Sequence, residues 1–114
     1  MAVRLSKAWN PLDSEHVGQL SGQLGVYQLG NAEGDILYIG VVGGRSRYGM
    51  RGELKDQLAA KPDQATCFRT EVNMAYRTRH IELLQAFMHD HGRLPILNTD
   101  VDPATLGRIR PGGG

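Results

Sequence analysis

Apolar and polar residues alternate along two short stretches, and the spacing then changes to three and four. "LGVYQL", residues 24–29, alternates well enough for a strand, with Val26 and Tyr27 suited to a pleated surface. "ILYIGVV", residues 36–42, is more continuously apolar and reads as the more buried partner strand. "NAEGD", residues 31–35, lies between them and is turn chemistry, because Asn31 and Gly34 tolerate positive φ. Together these stretches predict a β-hairpin.

Downstream, Met50, Leu54 and Leu58 recur every fourth residue in "MRGELKDQLAA", residues 50–60, which predicts one helical face despite Gly52. "KPDQ" breaks the chain, and "ATCFRTEV", residues 65–72, alternates as a third strand. Asn73 is a fitting N-cap for a long helix over 74–91, in which Ile81, Leu84, Phe87, Met88 and His91 fall at helical spacing. Gly92 is a natural stop, Pro95 follows, and "LPILN", residues 94–98, closes the pattern as a short extended segment. The order β-β-α-β-α predicts an α+β fold class with a small, three-stranded, mostly antiparallel sheet flanked by helices. Residues 1–23, broken by Pro11, Gly18 and Gly22, read as an N-terminal arm, 24–98 as the domain, and 99–114 as a C-terminal tail.

Composition narrows the function classes. The chain has 114 residues, 40% apolar and 22% charged, which suits one domain with a modest core. The net charge of +1 supplies no global field for nucleic acid or membrane, so any anion site must come from local clustering. Cys67 is the only cysteine, which excludes an internal disulfide and a thiolate metal cage and fits a reduced, cytoplasmic setting. The four histidines, His16, His80, His89 and His91, do not make a zinc pattern. No apolar run approaches the roughly 20 residues of a membrane span, and the N-terminus lacks the apolar stretch of a signal peptide.

Two phrases stand out: Gly25-Val26-Tyr27, then ten residues after the tyrosine, Tyr38-Ile39-Gly40. With a leucine-bearing helix, a third strand, a long helix carrying Glu82, and Asn98 after "LPIL", the ordered set resembles the GIY-YIG nuclease domain over Gly25 to Asn98. The resemblance implies metal-dependent hydrolysis of DNA phosphodiester bonds, with Mg²⁺ or Mn²⁺ as cofactor and DNA as partner. It implies Tyr27 as an activator of water, Tyr38 and Gly40 beside water or phosphate, Glu82 as metal ligand, and Asn98 as a residue holding backbone or a metal-bound group in place. The chemistry needs such groups: water must lose a proton, and charge on phosphorus and on the leaving oxygen must be neutralised. A phenol with a pKa of about 10 is a usable base only where cations or a metal lower that value.

The chain departs from the family pattern in its first helix. Glu53 stands where an arginine clamp is expected, and Gln57 where many members carry His or Tyr. Arg51 is the nearest replacement, although residues two apart on a regular helix point in nearly opposite directions. Arg45 and Arg47, in the glycine-rich loop "GGRSRYG", are the other phosphate-binding candidates. Three readings follow. The chain is an endonuclease with a rewired clamp; or it is a catalytically impaired protein that binds DNA or a protein partner without cleavage, with a protein partner supplying targeting in either case; or the resemblance is coincidental. Convergence of Tyr27, Tyr38 and Glu82 in one cleft separates the first from the third.

Overall fold

The computed structural model describes residues 4–99 and Val101. It is an α+β structure with elements β1 (Asn10–Pro11), α1 (Ser14–Gly18), β2 (Gly25–Gly30), β3 (Ile36–Val42), α2 (Gly49–Ala60), β4 (Cys67–Val72) and α3 (Tyr76–His91). The sheet has four strands in the order β1-β4-β2-β3, all paired antiparallel. The expected three-strand sheet therefore gains β1, a two-residue strand pairing Asn10 with Phe68 and Pro11 with Cys67. Two residues ending on a proline carry no periodicity, so the pattern of the sequence held no sign of it.

The hairpin forms where the turn chemistry places it. The Asn31 side-chain oxygen accepts from the N–H groups of Glu33 (3.0 Å) and Asp35 (2.9 Å), and Gly34 takes φ +85°. The long helix begins later than expected, at Tyr76. Asn73 does not cap it but accepts from the Ala75 N–H at 2.8 Å, making a side-chain turn just before the helix. Gly92 ends α3 with φ +71° and donates its N–H to the Met88 carbonyl.

Because side chains alternate across a strand, the sheet separates two apolar layers. On one face Tyr27, Leu29, Val42 and Phe68 pack with Val17 of α1 and Met50 and Leu54 of α2. On the other, Val26 and Ile39 pack with Leu83, Leu84 and Phe87 of α3, and with Leu5. The stripe that α3 buries is thus Leu83, Leu84, Ala86 and Phe87, and Ile81, expected on it, is exposed.

The segment expected as an arm contributes to both layers over its described part, through Leu5 and Val17. Trp9 lies against Gly30, where a Cβ would come within 2.7 Å of the indole, and the Arg69 guanidinium sits 4.1 Å above the indole ring. Apart from Thr99 and Val101, the expected tail over 99–114 lies outside the described residues. Among the described residues, no helix is long and apolar enough to cross a membrane.

Candidate functional site

Tyr27 and Tyr38 do meet. They stand diagonally on one face of the β2–β3 ladder, with ring centroids 5.9 Å apart and planes tilted by 44°. Register explains the neighbouring glycine. Tyr27 pairs directly with Gly40, and a Cβ at position 40 would lie 2.2 Å from the Tyr27 ring carbon Cζ. Gly40 is the slot for the ring. Gly25 has a similar cause, since a Cβ there would come within 2.0 Å of the Glu71 carbonyl oxygen on the adjacent strand.

The environment of Tyr27 is not that of a base. The residue is 2% exposed, and its hydroxyl accepts a hydrogen bond from Gln57 Nε2 at 2.9 Å. Burial raises its pKa far above that of a free phenol. The neighbouring Tyr38 and the Glu53 carboxylate add to the rise, which the Gln57 bond partly offsets. Glu53 and Gln57, the two departures in the first helix, are therefore the groups that face Tyr27. Glu53 also accepts from Ser46 Oγ at 3.0 Å, tying the 43–48 loop to α2.

The other expected site residues lie elsewhere. Glu82 is on α3, which covers the sheet face opposite the tyrosines. Its carboxylate pairs with Arg79, which also donates to Glu71 Oε2 at 2.7 Å and Oε1 at 3.2 Å. The Arg79 side chain is only 10% exposed, so Glu82 forms the outer arm of a Glu71–Arg79–Glu82 bridge. A carboxylate turned onto a guanidinium is a poor fit for Mg²⁺, and no cluster of three or more His, Cys, Asp or Glu suited to a metal occurs among the described residues. Asn98 is buried and serves the backbone. Its side-chain oxygen accepts from the Ile39 N–H at 2.9 Å, and its amide donates to the Ile39 carbonyl at 3.0 Å. It closes the outer edge of β3 as a neighbouring strand would.

Arg51 faces away from Tyr27, into an exposed groove of about 390 Å³ that it lines with Tyr48, Gly52, Lys55 and Asp56. Arg45 and Arg47 are exposed on the loop leading to it. Two of the loop's amides are taken up within the protein: the Ser46 N–H donates to the Gly43 carbonyl and the Gly44 N–H to the Tyr76 hydroxyl. At the start of α2, the Met50 and Arg51 N–H groups donate to the Gln23 and Ser21 carbonyls. Tyr48 and Lys55 were missed in the sequence, although positions 48, 51 and 55 share one helical face by spacing alone.

The structure thus assembles two groups. One is an inward cluster of Tyr27, Tyr38, Glu53, Gln57 and Ser46. The other faces outward: Arg51 and Lys55 beside Tyr48 in the groove, with Arg45 and Arg47 exposed on the loop that leads to α2. No curated protein and no solved structure matches the chain. The GIY-YIG resemblance is corrected, because no such family matches and the spaced tyrosines and glycines have a packing cause. The match over residues 3–90 is to a domain of unknown function, DUF7508, and the chain belongs to that family.

Proposed function

We propose that this protein binds nucleic acid, with DNA as the first candidate, through the outward basic surface and without cleaving it. One observation carries the reading. Arg45, Arg47, Arg51 and Lys55 are all exposed within eleven residues of sequence, on a chain whose net charge is only +1. The one acid within those eleven residues, Glu53, turns inward to Ser46, and the next residue after Lys55, Asp56, is the acid that lines the groove. The surface therefore carries a local positive excess of the kind that attracts a phosphate backbone. Binding without hydrolysis is preferred because Tyr27, Arg51 and Glu82 point in three different directions, which leaves the metal-dependent endonuclease reading without a shared site.

The test is a salt titration of binding to labelled DNA, followed by incubation with Mg²⁺ or Mn²⁺. Four phosphate contacts give a slope of log affinity against log salt of about −3 to −4. Replacing all four cations by alanine is expected to abolish the binding. No binding at low salt, or binding unaltered by the fourfold replacement, rejects the proposal. Metal-dependent cutting that disappears in Glu82→Ala restores the endonuclease reading in its place.

A further inference from the structure

We infer that the strand bound at this surface is unpaired and that Tyr48 is the platform on which one of its bases stacks; the inference rests on the nucleic-acid reading above. Tyr48 is 68% exposed, an unusual position for a large aromatic ring. Its neighbours in the groove are polar or small: Arg51, Gly52, Lys55 and Asp56.

The backbone around Tyr48 is held in place. Gly52 lies one turn on, and a Cβ there would come 2.5 Å from Tyr48 Cβ and 3.5 Å from Cγ and Cδ2. A glycine inside a helix costs about 1 kcal/mol relative to alanine, and here its missing side chain leaves the space beside the Tyr48 Cβ open. The backbone on either side is fixed as well. Gly49, at φ +65°, packs so closely on Gly22 that a Cβ would lie 2.0 Å from its carbonyl oxygen. The next two N–H groups are bonded to Gln23 and Ser21. The ring thus projects from an anchored backbone and faces solvent in the groove that it lines with Arg51 and Lys55.

An exposed aromatic ring beside cations is a combination that binds single strands. Every base has a π-face, but in a duplex that face is already stacked. The cations take the phosphates and the ring takes the base. A duplex presents phosphates to the same cations and gains nothing from Tyr48. Because the shared chemistry is a base on a phosphate backbone, single-stranded DNA and RNA are both ligands of this class.

The experiment uses the full chain and labelled oligomers of about 20 nucleotides, longer than typical site sizes. The probes are oligo-dT, oligo-U and a mixed-sequence duplex, each titrated by fluorescence anisotropy. Both single strands are expected to bind at least about tenfold tighter than the duplex. Tyr48→Ala is expected to weaken single-strand binding about ten- to hundredfold with an unchanged salt slope, and Tyr48→Phe to retain it. A preference for oligo-dT over oligo-U, or the reverse, identifies the natural source and supports the inference in either case. Duplex binding as tight as single-strand binding, or a Tyr48→Ala protein that binds as wild type, overturns the inference and leaves the nucleic-acid reading intact. No salt-dependent binding to any of the three overturns both.

Discussion

Gly40 sits directly across the ladder from Tyr27, and the tyrosine ring occupies the volume that a side chain at position 40 would need. This relationship explains the spaced glycines and tyrosines by packing, and it governs what substitutions there will do.

Gly40→Ala forces a Cβ to within 2.2 Å of the ring, so either the ring or the strand must move. The expected cost is about 1–3 kcal/mol, as for other overpacked cores, measured as a lower denaturation midpoint at constant m-value. In a double-mutant cycle with Tyr27→Leu, the two changes should couple by about 1 kcal/mol or more. Additive costs would show that the slot is not the reason for the glycine.

Tyr27→Phe keeps the ring and removes the acceptor of the Gln57 amide. The expected loss is about 1 kcal/mol of stability, with nucleic-acid binding unchanged, since the hydroxyl is buried away from the basic surface. Adding Gln57→Met should recover part of the loss, because the unpaired amide is then gone. Loss of binding with full stability would show that the hydroxyl acts on a ligand.

Asn98→Ala removes both bonds to Ile39 and leaves its buried N–H without a partner at the sheet edge, while the carbonyl keeps its contact with His80. A cost of about 1–3 kcal/mol is expected. Hydrogen exchange provides a local readout: the Ile39 amide should lose protection well before the amides of β2. His80, whose Nε2 lies 3.0 Å from the same carbonyl, should not replace Asn98, because it reaches only the oxygen.

The Glu71–Arg79–Glu82 bridge gives a pH dependence. Arg79 holds the Glu71 pKa below its ordinary value of 4.5, chiefly by hydrogen bonding. A carboxylate with a lowered folded pKa contributes stability that is fully present above the ordinary value and is lost as the pH falls through the lowered one. Unfolding midpoints should therefore decline below about pH 4.5, and Glu71→Gln should make that decline shallower. An unchanged acid limb would assign the acid sensitivity to other carboxylates.

The elements were legible because their causes are local. Asn31 and Gly34 make the turn within five residues, and Gly92 ends α3 within four. The apolar run over 36–42 and the leucine spacing in α2 needed no knowledge of the rest of the chain, although the run does not make β3 the more buried strand: it is the sheet edge, and β2, paired on both sides, is buried throughout. Fold class, hairpin and the two principal helices follow from that local chemistry. So does the clustering of Arg45, Arg47 and Arg51, which is a matter of sequence proximity alone.

Tertiary structure decided which residues share a site. A helix that follows a strand can return over either face of the sheet, and its periodicity does not record which. α3 packs on the Val26 and Ile39 face, so Glu82 is parted from Tyr27 by the sheet itself. The rotation of α2 about its axis, set by burying Met50 and Leu54, turns Gln57 toward Tyr27 and leaves Arg51 beside Tyr48 in solvent. Those choices belong to long-range packing of apolar faces, and they turn a sequence that reads as one catalytic cleft into a buried tyrosine cluster and a separate basic surface.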